Sequence, residues 1–198
     1  MRTVAVTGGI ACGKSLVGRI LEAEGIPVCE ADDVAHRLMR RGQPVFEQVC
    51  QHFGARVLDA AGEIDRRALG AIVFQDAAER LKLNSIVHPE VAREVLGWLE
   101  ARRGEARAAA AAIVPLLFEA GLDSGWDAIA CVSATESVQL RRLLERKMTM
   151  DEARRRIAAQ WPVQQKAERA DFVLVNNGTE ELLQAQTRRM LKHILEKR

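Results

Sequence analysis

The sequence predicts an α/β protein: an open sheet with a glycine-rich loop at the end of its first strand. Three observations predict it. The apolar run Val4-Ala5-Val6 leads into Gly8-Gly9-Ile10-Ala11-Cys12-Gly13-Lys14-Ser15 and then into Leu16-Val17-Gly18-Arg19-Ile20-Leu21, whose apolar residues recur at helical spacing. Strand-like runs recur at Ile26-Pro27-Val28-Cys29, Ile113-Val114, Ala128-Ile129-Ala130-Cys131-Val132 and Phe172-Val173-Leu174-Val175, with helical patterns between them. Polar residues follow several of these runs, at the place where an open α/β sheet binds its ligands.

The loop pattern G-x-x-x-x-G-K-[ST] carries chemistry because each residue type has a physical task. Glycines let the backbone close around phosphate oxygens with its N–H groups pointing inward, and the helix start adds partial positive charge. Gly8, Gly9, Ile10, Ala11, Cys12, Gly13, Lys14, Ser15 and Leu16 are therefore the candidate nucleotide-binding residues. Lys14 is expected to bridge the β- and γ-phosphates, and the Ser15 hydroxyl to meet the magnesium ion that travels with the nucleotide.

A chain of 198 residues holds one substantial core and an inserted subdomain. A net charge of +2 with 28% charged residues demands no nucleic acid partner. No charged leader followed by an apolar block is visible, and the longest apolar block, Ala108 to Phe118, contains Pro115 and is too short for a bilayer. It reads as a buried strand. No membrane and a cytoplasmic location are expected. The four cysteines, Cys12, Cys29, Cys50 and Cys131, are widely spaced and form no zinc pattern, which suits a reducing compartment. Cys12 lies beside Lys14 and a helix start, features that lower a thiol pKa; the alternative is a small residue that fits the loop.

In chain order, Gly25 reads as the stop of the first helix. Glu30-Ala31-Asp32-Asp33 then follows the second strand. Asp32 or Asp33 suits a base for an acceptor hydroxyl or a water-mediated contact to magnesium, and equally a cap for the helix through Val34, Ala35, Leu38 and Met39. From Gly42 to Arg107 the pattern is helical, broken by a turn at Asp59-Ala60-Ala61-Gly62 and ending one helix at His88-Pro89, where proline disfavours helix for the residue before it. His88 reads as a turn residue or as a substrate contact. The segment from about 32 to 108 is a natural acceptor-binding insertion. Pro115 ends the third strand near Val114, and Glu119 is a candidate acid beside magnesium or a loop carboxylate. Asp127 to Ser133 alternates into a fourth strand. The basic stretch from about 138 to 165, with Arg141, Arg142, Arg146, Lys147, Arg154, Arg155 and Arg156, reads as a solvated face or as an arginine-bearing lid. Arg142 and Arg146 are four apart, on one helix face. A last strand ends at Asn176-Asn177-Gly178, and a closing helix turns Leu183, Met190, Leu191 and Ile194 inward.

The ordered combination of Thr7-Gly8-Gly9-Ile10 with Gly13-Lys14-Ser15, Glu30-Ala31-Asp32, Val87-His88-Pro89, Pro115-Leu116-Leu117-Phe118-Glu119, Gln139 with Arg142 and Arg146, Arg156-Ile157 with Gln160, and Ala170-Asp171 with Asn176 and Gly178 resembles the dephospho-coenzyme A kinases over nearly the whole chain. The resemblance implies a single P-loop kinase-type domain over 1–198: a parallel five-stranded sheet flanked by helices, with a helical substrate-binding insertion and a lid. It implies transfer of the γ-phosphoryl of ATP, with Mg2+, to the ribose 3′-hydroxyl of dephospho-coenzyme A, the last step of coenzyme A synthesis. Asp32 matches the family's base; Lys14, Arg142 and Arg146 match its phosphate-stabilising positions. Asn176 joins the nucleotide site, and Asp32, His88, Leu116 and Glu119 the substrate site. Ala11-Cys12 stand where the family has Gly-Ser, Leu16 where it has Thr, Glu30 where it has Asp, His36 where Arg is common, and Lys147-Met148-Thr149-Met150 where an Asp-containing turn is usual. No Asn-Lys pair occurs, which argues against the N-K-x-D base reader of a guanine-nucleotide switch. Oligomeric state is not encoded in any motif.

Overall fold

A computed structural model describes residues 1–105 and 107–196, and the chain divides into two compact units, Met1–Glu30 with Leu99–Arg198 and Ala31–Trp98. The first unit is built on a five-stranded sheet, β1 (Arg2–Gly8), β2 (Val28–Glu30), β3 (Ala109–Ile113), β4 (Ala128–Ser133) and β5 (Phe172–Val175), in the order β2-β3-β1-β4-β5. Every pairing is parallel, with Val4 of β1 opposite Ala111 of β3 and Ala128 of β4. All the carboxyl ends therefore share one edge, and the loops leaving β1, β3, β4 and β5 converge there.

Central strands of such a sheet are covered on both faces. β4 shows this: Ala128 to Val132 are all buried, so the alternation expected from the sequence is absent. β3 is shorter than the apolar block that contains it. Five residues, Ala-Ala-Ala-Ala-Ile, form the strand, and Pro115, which has no N–H to donate, lies in the chain that leaves the sheet. Helix α1 (Lys14–Ala23) lies close against this strand; a Cβ on Gly18 would come within 2.6 Å of Ile113 Cδ1. The helix ends as Gly25 takes φ 79° and the Ile26 N–H returns to Leu21 O at 3.0 Å. The second strand starts two residues later than expected, at Val28, because Ile26 and Pro27 belong to this turn-out.

The remaining helices of the first unit are α6 (Glu136–Glu145), α7 (Met150–Ala158), α8 (Val163–Arg169) and α9 (Glu180–Glu196). Leu183, Met190, Leu191 and Ile194 of α9 join Val17, Ile20 and Leu21 of α1 in the main core. β5 is an edge strand with Val173 and Val175 exposed, and the Gln186 side chain bonds both the N–H and the C=O of Val175 at 2.9 Å.

The second unit holds α2 (Ala31–Leu38), α3 (Pro44–Phe53), α4 (Arg66–Gln75) and most of α5 (Ala77–Arg103). Pro44 occupies the first turn of α3, and Asp65 caps α4 by accepting from Arg67 and Ala68 N–H groups. The expected turn is present: Asp59 Oδ1 accepts from the N–H groups of Ala61 at 2.9 Å and Glu63 at 3.0 Å. The expected break at His88-Pro89 is not. α5 runs through Pro89, and Ile86, Val87, Val91 and Val95 are buried along it. Burying that stripe outweighs one lost backbone donor. Among the described residues no helix is long and apolar enough to cross a membrane.

Candidate active site

The loop between β1 and α1 is shaped by backbone conformations that its residue types permit. Gly8 has φ 141°, and a Cβ there would lie 2.1 Å from Val132 O; Gly13 has φ 103°, and a Cβ there would lie 2.2 Å from Asn176 Nδ2. Ala11 is also left-handed, at φ 57°, where the family resemblance leads one to expect glycine.

What holds the loop open is a set of donors aimed at its carbonyls. Lys14 Nζ donates to Gly8 O at 3.1 Å and Gly9 O at 2.9 Å. Gln139 Nε2 donates to Ile10 O at 2.7 Å, Arg142 Nη1 to Ala11 O at 3.1 Å and Asn176 Nδ2 to Cys12 O at 2.8 Å. Every carbonyl from Gly8 to Cys12 is thereby turned onto protein. Backbone N–H groups of a loop pinned this way form the lining for an anion. Two N–H groups are spent on protein instead: Ile10 N–H donates to Gln160 Oε1 at 2.9 Å and Cys12 N–H to Gly9 O at 3.3 Å.

These braces come from the other strand ends. Asn176 follows β5, is buried, and donates from its own N–H to Ser133 O at 2.7 Å. Gln139 and Arg142 lie on α6, which Thr135 caps by accepting from Val138 N–H. Arg142 Nη2 also donates to Asn176 O at 3.1 Å and Oδ1 at 3.2 Å, so one guanidinium joins the loop to the end of β5. Arg146 differs from Arg142 in its setting: α6 stops at Glu145, and Arg146 is an exposed C-cap residue. Lys147 follows at φ 63°, and Thr149 with Glu152 forms a capping box that starts α7. Arg154 and Arg155 of α7 are exposed and Arg156 is half-buried.

Cys12 is fully buried, and burial pushes its thiol up, against the opposing pull of Lys14, backbone hydrogen bonds and Arg142. The sequence features pointed to a lowered pKa. Desolvation outweighs them because the side chain faces the core instead of the loop's open side. All four cysteines are free.

Beyond β3, Leu116 is half-buried and Glu119 takes part in a buried ionic cluster. Glu119 Oε1 accepts from Lys166 Nζ at 2.6 Å and from Trp161 N–H at 3.0 Å. Its Oε2 is buried with no hydrogen-bond partner. Lys166 is fully buried and also donates to Pro115 O at 2.9 Å. Neither Lys166 nor Trp161 stands in a motif that marks it in the sequence. One signal was present: Val163, Lys166, Ala167 and Ala170 share a helix face, and a lysine in that inward stripe has to find a counter-charge.

In the second unit Asp32 and Asp33 are exposed in the first turn of α2. They are helical residues and not its cap, since the helix begins at Ala31. Carboxylates there still suit the helix dipole. His88 is half-buried within α5. His36 Nε2 lies 2.8 Å from Arg66 Nη1, and burial, with the Arg66 charge, holds its imidazole below the ordinary range.

Magnesium suits the donors present in the first unit. It prefers oxygen ligands, keeps much of its water and is held largely by substrate phosphates. Ser15 offers an exposed hydroxyl beside the loop, and Glu119 Oε2 is a buried carboxylate oxygen in want of a partner. No group of three or more His, Cys, Asp or Glu residues forms a metal cage among the described residues.

Comparison with known proteins follows the same line. The family model described as dephospho-CoA kinase matches residues 2–181. A dephospho-CoA kinase of Geobacillus kaustophilus is 46% identical over 194 residues, covering 98% of this chain and 94% of its own. Among solved structures, TT1252 from Thermus thermophilus superposes with TM-score 0.80 at 33% identity, covering 97% of each chain. A dephospho-CoA kinase from Campylobacter jejuni has TM-score 0.70 at 24% identity, covering 99% of this chain and 98% of its own, a likeness of fold. With the parallel β2-β3-β1-β4-β5 sheet and its loop, these matches place the chain in the dephospho-CoA kinase family.

Proposed function

We infer that this chain transfers the γ-phosphoryl group of ATP to the ribose 3′-hydroxyl of dephospho-coenzyme A, giving coenzyme A and ADP as the last step of coenzyme A synthesis. The observation that carries the reading is the pinned loop, with each carbonyl from Gly8 to Cys12 bonded to protein, in a chain of this family.

In this reading the loop N–H groups and Lys14 bind the phosphates, and Ser15 and Glu119 would hold the magnesium ion that accompanies them. Magnesium supplies neutralisation of the phosphate charge. The bond from the γ-phosphorus to the ADP oxygen breaks as the bond to the acceptor oxygen forms, and the hydroxyl proton passes to Asp32. Asp32 stands two residues beyond β2 in the chain, after a strand whose carboxyl end lies on the loop's side of the sheet. Arg142 and Arg146 stabilise the transferring group, and Leu116, Glu119 and His88 contribute to the acceptor site. The segment from about 32 to 108 receives the acceptor, and that from about 138 to 165 closes over the nucleotide. A cytoplasmic location fits the four free cysteines.

ADP release with ATP and magnesium across dephospho-coenzyme A, AMP, CMP, pantothenate, shikimate, gluconate and water tests the reading. Turnover confined to dephospho-coenzyme A, with the new phosphate on the 3′-hydroxyl by mass analysis, is expected. Turnover with another acceptor and none with dephospho-coenzyme A would overturn it.

A further inference from the structure

The most unusual side chain in the first unit is Lys166, a fully buried lysine on α8. Burying an ammonium costs several kcal/mol unless a partner offsets it. Two partners do so, Glu119 Oε1 at 2.6 Å and Pro115 O at 2.9 Å. Both acceptors lie in the segment that leaves β3. Pro115 O also receives Thr7 Oγ1 at 3.3 Å, from the residue that precedes the phosphate loop.

The same carboxylate oxygen of Glu119 accepts the Trp161 N–H, and the Trp161 ring is itself held in place. It stacks on Phe118 with 6.4 Å between centroids and 7° between planes, and Arg169 lies over both rings while paired to Asp123 at 2.8 Å. The neighbouring residue, Gln160, accepts from the loop N–H of Ile10. Lys166, Trp161 and Gln160 thus form one connector that grips the phosphate loop at one point and Glu119 at another. Oε1 is saturated by two donors on that connector, and Oε2 is left buried and unpaired. A carboxylate gripped by one oxygen alone has a fixed direction for the other.

We propose that Lys166 is a positioning residue for the magnesium–nucleotide site: it fixes Glu119 through Oε1 so that Oε2 is the oxygen presented to the hydration shell of the magnesium ion. This rests on the reading of Glu119 given under Proposed function. Structural glue alone predicts something different, since glue needs both carboxylate oxygens satisfied and has no use for an orphan. Lys166 touches neither nucleotide nor metal, and acts through Glu119.

Calorimetric titration of the full chain with ATP, in EDTA and then in magnesium, reads how far the metal tightens nucleotide binding. Lys166→Met is expected to cut that tightening by about tenfold, the worth of one charge-assisted hydrogen bond, with affinity in EDTA unchanged. Glu119→Gln is expected to cut it similarly, and Lys166→Met to have no further effect in the Glu119→Gln background. Equal losses of affinity with and without magnesium would assign Lys166 to scaffolding and overturn the proposal. Tightening lost in Glu119→Gln but kept in Lys166→Met would overturn the positioning role alone. Tightening kept in Glu119→Gln would remove the reading of Glu119, and this proposal with it. Should Lys166→Met not fold, a crystal structure of the unaltered chain with ADP and magnesium decides. Oε2 within hydrogen-bond reach of a magnesium-bound water, with Oε1 still on Lys166, is expected; Oε2 turned elsewhere would refute it.

Discussion

Replacing Asn176 by alanine removes a brace that joins the phosphate loop to Arg142. The variant loses the 2.8 Å hydrogen bond from Nδ2 to Cys12 O and the 3.2 Å bond that Oδ1 accepts from Arg142. It keeps the Arg142 bond to the Asn176 carbonyl, so the guanidinium stays attached to the end of β5. The side chain is buried, and water has no easy path to the abandoned Cys12 carbonyl. One unsatisfied buried acceptor costs about 1–3 kcal/mol, and a central value of about 2 lowers Tm by about 4–8 °C in a chain of this size. If the loop relieves the cost by rotating that peptide, its N–H groups no longer converge on the phosphates, and the same energy is spent in binding: about 20- to 40-fold in the ATP Kd. Thermal unfolding and calorimetric titration with ATP, run on one preparation, read the two parts together. Asn176→Ala with both Tm and ATP affinity unchanged would refute the claim that Asn176 holds the loop open.

Other expectations are simpler to state. Lys14→Ala should weaken ATP binding and turnover together, measured by titration and by ADP release; wild-type values would contradict the phosphate-site reading. Asp32→Asn should lower kcat by about 100-fold or more, the usual worth of a general base, while the ATP KM holds; turnover within about twofold of wild type would remove Asp32 from that role. Iodoacetamide on the native protein should label half-buried Cys50 before Cys12 or Cys131, since burial raises the Cys12 thiol and pushes that of Cys131 up to about 11; peptide mapping that finds Cys12 modified first would show the loop opening in solution. Burial pushes the Asp127 carboxyl up, but hydrogen bonds from the Thr3 N–H and hydroxyl and from Arg2 outweigh it and leave the pKa below its ordinary 3.8. A depressed carboxylate stabilises the fold fully above its unfolded pKa and loses that contribution as pH falls through the folded one. Asp127→Asn should therefore flatten the acid limb of a Tm-against-pH curve, below about pH 4; an unchanged limb would show that the pairing is not worth protons.

Much of the architecture was legible because two kinds of signal are local. Strand β1, the loop and α1 carry their own residue types in sequence, and β5 was delimited by Asn176-Asn177-Gly178 after it. The signals that failed were the ones settled by packing. Pro89 is a strong local breaker, yet α5 passes through it because the buried stripe around it is long. The alternation expected of β4 is erased by cover on both faces of the sheet. Among the candidate site residues, Gly13, Lys14, Ser15 and Asn176 were named from spacing and resemblance. The donors that hold the loop could not be paired with its carbonyls, since Gln139, Arg142 and Asn176 lie more than a hundred residues away. Of the two readings of Cys12, packing favours the small residue that fits the loop: its neighbours in sequence lower a thiol pKa, whereas its neighbours in space are the apolar side chains of the core.

Gln186 has a consequence for how this molecule coexists with its own copies. An edge strand offers a neighbour an open row of peptide groups, and two exposed valines on β5 would make that row sticky. A side-chain amide has the same donor and acceptor as a peptide, and Gln186 presents both to Val175. It is in effect a single rung laid by the chain against itself, occupying the place where a foreign strand would start to zip. The sheet ends at β5 by being answered there.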